Sequence, residues 1–302
     1  MINEVVIIGG SYAGLSAALQ LGRARRRVVV VDAGLRRNRF AANSHGFLGQ
    51  DGRAPGDIAA FGRAELARYA TVEFVEGEVV RAGGGFNDFT VDLADGTRHR
   101  ARRLILAAGM TDILPQIPGL AERWGRSVFI CPYCDGYELE QAPIGVIATG
   151  PHSFHHAMML PDWGPTTYFT NGAHAPDAAE RAELERRNVT VEPTPVTAIE
   201  GERADVVLAD GRRLGFRGLF TAGRIAMSSP VAGELGCELQ DGPLGRFVKI
   251  GPRGDTSVAG VFACGDIARG AGSVALAVGD GNIAGSAAHA SLIFDATLGK
   301  AA

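Results

Sequence analysis

Lysine is almost absent from this chain: of 30 basic residues only Lys249 and Lys300 are lysine, a skew that reads as compositional bias rather than function. Charge of one sign is lacking too, since 33 acidic residues against 30 basic ones leave a net charge of −3. That balance argues against a nucleic-acid binder, whose usual footprint is a basic excess. No apolar run reaches the roughly 18 residues that a membrane span needs. The stretch from Met1 to Gly10 has no basic segment and leads into an apolar strand, so no secretory leader is expected. The two tryptophans, Trp124 and Trp163, are read as packing residues. Cysteine is scarce, with only Cys131, Cys134, Cys237 and Cys264. The first two form a C-x-x-C, which without an export signal points to redox or metal chemistry rather than a structural disulfide framework. These absences leave a soluble, cytoplasmic chain with no nucleic-acid or membrane partner as the expectation.

Glycine, by contrast, is abundant at 42 residues, which suits tight turns and backbone approaching a ligand. A length of 302 residues suggests two domains. The run Glu4–Ile8, the Gly-rich turn Gly9–Gly14, an Ala/Leu helix over Leu15–Leu21 and the apolar run Val28–Val31 make a βαβ unit. Val72–Val75 and Phe89–Leu93 are expected as strands of a small antiparallel insert, with Gly83–Gly85 and Asp95-Gly96 as its turns. Leu104–Ala107 reads as a buried strand. The Pro-rich stretch Leu114–Gly119 reads as a linker. A second, weaker strand–turn–helix then starts at Ile144–Ala148 with Gly150 in its turn. Thr166–Phe169 and Leu219–Thr221 follow as strands, and a small-residue helix over Ser273–Leu292 closes the chain. The fold class expected is α/β, with two Rossmann-like dinucleotide-binding domains. The second is inserted into the first: residues 1–115 and 243–302 bind one cofactor, and residues 118–240 form the insert.

Gly9-Gly10-Ser11-Tyr12-Ala13-Gly14 follows a strand and opens a helix, the context a dinucleotide fingerprint requires. Helix amides there face a pyrophosphate, and Asp32, 18 residues beyond Gly14, is placed to accept from a ribose hydroxyl. Ser11 departs from the pattern, which has a second glycine at that position. The alternative is a Gly-rich turn that serves helix–strand packing alone. Gly260-Val-Phe-Ala-Cys-Gly-Asp266 resembles the Gly-Asp segment of flavoproteins with two dinucleotide domains. The resemblance implies FAD in the first domain, with Gly265 and Asp266 binding it and the next helix pointing its N-terminus at the flavin. Ala108 and Gly109, at the end of the strand Leu104–Ala107, are assigned to the same cofactor.

Cys131-Pro-Tyr-Cys134-Asp135-Gly136 follows the apolar run Val128–Ile130. At a strand end or helix start such a pair can lower one thiol's pKa, and its spacing lets a disulfide close. Zinc competes, but it needs two further ligands and there is no second C-x-x-C. The order of FAD fingerprint, C-x-x-C-D inside the second domain, then Gly-Asp near the C-terminus resembles low-molecular-weight thioredoxin reductase over essentially the whole chain. The dithiol oxidases that close disulfides in natural products such as holomycin and gliotoxin share that order. The resemblance implies a homodimer in which Cys134 lies over the flavin as the charge-transfer thiolate, with Cys131 as its disulfide partner. Asp135 matches the acid that moves protons in thioredoxin reductase, where the dithiol oxidases often carry His.

Two departures qualify the resemblance. In the family the second domain binds NADPH through a run of glycines and a His-Arg-Arg. Here the first region reads Val146-Ile-Ala-Thr-Gly-Pro-His-Ser, and the second reads Thr170-Asn171-Gly172, with Arg181 the next basic residue. Pro151 also removes an N–H, so NADPH use is expected to be weak or lost. The family's Arg-Gln before the last helix is Gly272-Ser273, which leaves Ser273 and the Val274 amide as flavin contacts. His45, in a loop that the family places near the flavin, is read as a hydrogen-bonded structural residue, with acid–base work as its alternative. His152, His155 and His156 are read as packing or solvated residues. Arg23, Arg25, Arg26 and Arg27 are read as a solvated helix end, Cys264 as a small buried residue near FAD, and Cys237 as a structural thiol.

The expected partner is a thioredoxin-like protein or a small-molecule dithiol or disulfide. Three readings stay open: an FAD disulfide oxidoreductase that uses NADPH poorly, an oxygen-using dithiol oxidase, and a flavin redox sensor without turnover.

Overall fold

The computed structural model describes residues 2–294, so residues 295–302 of the expected FAD domain lie outside the described range. The chain divides into two compact units. Residues 1–39, 55–111 and 225–302 make the first, and residues 40–54 and 112–224 make the second.

The first unit is built on β1 (Asn3–Ile8), α1 (Tyr12–Arg23) and β2 (Val28–Asp32). Val5–Ile8 and Val28–Val31 are buried without alternation, as expected for parallel strands covered on both faces. After α2 (Pro55–Leu66) come β3 (Val72–Glu76), β4 (Val79–Gly85), β5 (Asp88–Leu93) and β6 (Arg98–Leu106). Their sheet order is β3-β2-β1-β6-β5-β4. β3 is a parallel edge strand of the main sheet, Val72 opposite Val28, and not part of an antiparallel insert. Gly83–Gly85 belong to β4, which pairs antiparallel with β5, so the reversal falls at Phe86 and Asn87, with Asn87 at φ 70°. β-branched Val72 and Val75 suit the covered sheet, and sequence spacing alone did not separate them from the hairpin that follows.

The chain crosses to the second unit along β7 (Met110–Ile113). There β8 (Val128–Phe129) leads into the short α3 (Pro132–Asp135). β9 (Ile144–Ile147), α4 (Ser153–Met159), β10 (Thr166–Phe169), α5 (Ala178–Arg186) and β11 (Thr190–Glu192) follow. An antiparallel trio, β12 (Val196–Glu200), β13 (Ala204–Leu208) and β14 (Arg213–Phe216), precedes β15 (Gly218–Phe220). The parallel sheet runs β11-β10-β9-β15-β8. In β13 burial alternates residue by residue, the period of a strand with one covered face. The Pro-rich stretch Leu114–Gly119 lies inside this unit, where Leu114 and Ile117 pack on its core.

β16 (Arg224–Met227) returns the chain to the first unit. The short α6 (Val231–Glu234), the hairpin β17 (Leu239–Asp241) and β18 (Arg246–Val248), then β19 (Val261–Ala263) and α7 (Val274–Ile293) complete it. β19 pairs with the C-terminal half of β6, and β5 pairs with its N-terminal half.

α7 lies against α1 with no side chain between their backbones at two places. A Cβ on Gly281 would collide with the Ala13 carbonyl oxygen, and one on Gly285 would sit 2.6 Å from that of Ala17. The Ser16 hydroxyl also donates to the Val278 carbonyl at 2.7 Å. Gly281→Val should therefore destabilise the protein by about 1–3 kcal/mol, through overpacking against backbone that cannot yield. Gly279 on the same helix faces open space. Gly279→Ala should raise stability by roughly 0.5–1 kcal/mol through helix propensity alone. Urea midpoints of the two variants check both signs.

Candidate active site

In the first unit the turn after β1 is shaped by contacts only glycine allows. Gly9 has φ 109°, and a Cβ there would collide with the Ala107 carbonyl, as one on Gly14 would with that of Gly9. Ser11 is the N-cap of α1, in extended conformation and without a side-chain cap. Tyr12 and Ala13 face inward: the Tyr12 hydroxyl donates to the Pro55 carbonyl at 2.9 Å, and Ala13 packs beneath Gly265. Only their backbone amides are therefore offered to a ligand.

Asp32 ends β2 with its Oδ1 accepting from the Gly10 and Gly34 amides, each at 3.2 Å, and its Oδ2 from Arg63 at 2.7 Å. A cavity of about 500 Å³ opens beside it, lined by Gly10, Asp32, Gly34, Arg36, Arg63 and Glu76 among others. The buried Arg36 Nε there has no hydrogen-bond partner in the protein. The volume suits the nucleoside end of a dinucleotide. Arg36 and Arg63 were not singled out from the sequence, because an arginine in a loop or on a helix gives no local sign of where it points.

Ala108 and Gly109 follow β6, Gly109 at φ 73° with open space where a Cβ would be. Gly265 and Asp266 open a short 3-10 turn, and Asp266 accepts from Arg37 at 2.8 Å. Ser273 caps α7 by accepting from the Leu276 amide at 3.2 Å, and Val274 is the first helical residue. The cradle that any Cβ would fill, the unsatisfied Arg36 Nε and the amide ends of α1 and α7 fit a dinucleotide such as FAD.

The second unit carries the cysteine pair. Cys131 is the extended N-cap of α3, and its carbonyl accepts from the Cys134 and Asp135 amides at 3.1 and 3.2 Å. Gly136 lets the turn close under Trp163, whose indole meets Tyr133 edge-on with centroids 5.4 Å apart. Trp163, expected only to pack, thus braces the C-x-x-C turn. Both thiols are free and partly buried. The Cys134 thiol donates to the Cys131 sulfur, and the Cys134 and Tyr133 amides also point at it. Against its burial, these pull Cys131 down to about 7. Cys134 is pushed up, first by that shared proton, then by burial and by the Cys131 and Asp135 charges. Burial raises Asp135 to about 7, helped by the negative charges of Cys131 and Glu138 and opposed by His45.

The second fingerprint is filled by its own side chains. The Thr149 amide donates to Ser153 Oγ at 3.0 Å, and the Thr149 hydroxyl bonds the Ala222 carbonyl. The His152 ring lies over Gly150 and contacts Thr149 Oγ1 at 3.1 Å. Further on, Asn171 accepts from the Val196 amide at 3.0 Å, and Arg181 Nε donates to the Pro176 carbonyl at 3.0 Å. Cys264 is fully buried, and burial pushes its thiol up.

Comparison with known proteins gives the family. The Pyridine nucleotide-disulphide oxidoreductase family matches residues 3–281. The chain belongs to that family, and with it to the FAD-dependent disulfide oxidoreductases. An oxidoreductase from Agrobacterium tumefaciens superposes with a TM-score of 0.96 at 57% identity, covering 98% of this chain and 100% of that one. HlmI superposes with a TM-score of 0.91 at 37% identity, over 99% of this chain and 95% of its own. Thioredoxin reductase tcpT of Claviceps purpurea (strain 20.1) is 32% identical over 308 residues, 97% of this chain and 95% of that protein. Among the described residues no helix is long and apolar enough to cross a membrane.

The reduced protein should be alkylated by iodoacetamide at Cys131 first, with a rate that rises through pH 7 as the thiolate forms. Cys134→Ala removes the donor and should move that rise toward the ordinary thiol range, whereas Cys134→Ser, which keeps a hydroxyl donor, should move it less. Peptide mass mapping across pH reads both.

Proposed function

We propose that this protein is a thiol–disulfide oxidoreductase in which Cys131 and Cys134 form the redox pair and Asp135 handles the proton. The observation that carries the reading is the closed turn at the start of α3, which sets two free, partly buried cysteines and Asp135 together, with the Cys131 carbonyl accepting from the Cys134 and Asp135 amides. The Cys131 thiolate attacks one sulfur of a substrate disulfide and forms a mixed disulfide, releasing the first thiolate. The Asp135 carboxylate then takes the proton of Cys134, whose raised pKa requires a base. Cys134 attacks the Cys131 sulfur, and the second substrate thiolate leaves with a proton. Two electrons and the one proton of Cys134 move to the substrate, whose first half leaves as a thiolate and takes its proton from solvent, leaving a Cys131–Cys134 disulfide. The same steps reversed oxidise a substrate dithiol.

The first unit would hold FAD through Gly9–Gly14, Asp32, Ala108, Gly109, Gly265, Asp266, Ser273 and Val274. When bound, FAD supplies a two-electron carrier for the cysteine pair. The second unit is the NAD(P)H-binding-like domain, with weak or lost NADPH use. Its turn spends the Thr149 amide on Ser153 and covers Gly150 with His152, where a phosphate needs free N–H groups. Substrates are a thioredoxin-like protein or a small dithiol or disulfide, turned over by a cytoplasmic homodimer.

The covered second fingerprint also favours a second reading, an oxygen-using dithiol oxidase that closes a disulfide in a small molecule.

Anaerobic stopped-flow of the yellow protein against NADPH, NADH and dithiothreitol tests these readings at the main flavin band. Dithiothreitol should bleach the flavin through a long-wavelength band that disappears in Cys134→Ser, and NADPH should act at least about ten-fold more slowly. Rapid bleaching by NADPH would overturn the account of the second unit. Re-oxidation by air at the turnover rate would select the oxidase.

A further inference from the structure

The loop Phe40–Ala54 interrupts the first unit in sequence but belongs by contact to the second, the unit of the cysteine pair. It is folded on itself. The Ser44 amide donates to the Arg53 carbonyl at 2.8 Å, Gly52 donates back to Ser44 at 2.9 Å, and the Gly46 amide donates to Asp51 Oδ1 at 2.8 Å. This loop delivers the mostly buried His45 ring between two carboxylates. Its Nδ1 lies 3.5 Å from Asp51 Oδ1 and its Nε2 3.4 Å from Glu138 Oε1. Glu138 sits in the 3-10 turn Tyr137–Leu139, directly after the turn that holds Asp135. The side chain of Asp51 is 67% exposed, so the far end of the cluster meets water.

We propose that His45 is a positioning residue of the dithiol chemistry: clamped between Asp51 and Glu138, it governs the proton held by Asp135 and hence the deprotonation of Cys134. The inference rests on the reading of Cys131 and Cys134 as the redox pair. The groups that act on Asp135 are Cys131 and Cys134 from its own turn, Glu138 from the next turn and His45 from the loop. Of these only His45 favours the carboxylate, and Glu138 opposes it. A lone histidine pinned by acids on both ring nitrogens is more than a packing residue here, because its position decides which of those charges Asp135 feels.

The sign of the test follows from that arrangement. A neutral, non-titrating side chain at position 45 removes the one neighbour that favours the Asp135 carboxylate, so Asp135 keeps its proton to higher pH and acts as a base later. The assay mixes reduced, anaerobic holoprotein with hydroxyethyl disulfide, quenches in acid, and resolves mixed disulfide from Cys131–Cys134 disulfide by intact mass between pH 5.5 and 9. In the wild type, closure should rise through an inflection near pH 7. In His45→Gln that inflection should move up by about one pH unit, slowing closure at pH 7 about five-fold and leaving the high-pH plateau unchanged. His45→Lys places a cation at the position and should hold the inflection at or below that of the wild type, and Asp135→Asn should abolish it.

Three results would overturn the proposal: a His45→Gln profile that overlays the wild type, a His45→Lys profile that matches His45→Gln, or a lowered plateau with an unmoved inflection. Absence of closure in the wild type would instead overturn the redox reading beneath it, whatever the His45 variants do.

Discussion

Backbone meeting backbone at the Gly9–Gly14 turn is the constraint on which the first unit depends. Gly14 lies against the Gly9 carbonyl, Gly9 against Ala107, and Ala13 carries Gly265 on one side and Gly281 on the other. One short turn thus sets the spacing of β1, β6, α1 and α7 at once. A side chain at any of these glycines would push a helix off the sheet. The same closeness leaves the first amides of α1 without a side-chain cap, while at α7 Ser273 takes the Leu276 amide and the Val274 amide stays ahead of it, an arrangement that suits a pyrophosphate or a flavin ring. Packing and ligand chemistry therefore ask for the same residues there. Glycine in the interior of α7 weakens the isolated helix, and close contact along α1 offsets that cost.

A different economy governs the cysteine turn. Cys131, Cys134, Asp135 and Glu138 are four acidic groups within eight residues of one another, so full ionisation is costly. The arrangement lets one thiol ionise by borrowing the proton of the other, and it keeps a buried carboxyl titrating close to neutrality. Cys131 and Asp135 both titrate close to neutrality, so a proton passes to or from either at small cost, whereas Cys134 holds its proton firmly.

Much of this was legible in the sequence. Uninterrupted Val and Ile runs marked the parallel strands, and the glycine spacing located the turn after β1. The C-x-x-C announced itself by identity. What stayed hidden depended on direction or on distant sequence. Arg36 and Arg63 beside the cavity, Arg37 on Asp266, and Trp163 under the cysteine turn carry no local pattern. His45 was visible as a residue but not as a neighbour of Glu138, since 93 positions separate the two and only the path of the loop joins them. Val72–Glu76 was misplaced because a parallel edge strand and the first strand of a hairpin share composition, and pairing is decided by what lies beside them.

In the second unit the residues that hold the sheet and those that shape the turn after β9 are different sets. Its sheet is held by Ile144, Val146, Tyr168, Phe169, Leu219 and Phe220, all fully buried, and none of these touches what a phosphate would need. Phosphate binding rests on a few amides at one helix start, and those are vulnerable to single changes. Pro151 removes one donor, Ser153 Oγ occupies another, and His152 covers the glycine between them. Thr149, which could have faced a ligand, is instead tied to Ala222 at the end of the neighbouring strand. The Ser153 and Ala222 contacts are internal hydrogen bonds, so these polar groups of the turn are satisfied within the protein. The donors of this turn and the core of the sheet that supports it therefore rest on different residues, and the strand–turn–helix outline is set by the sheet alone.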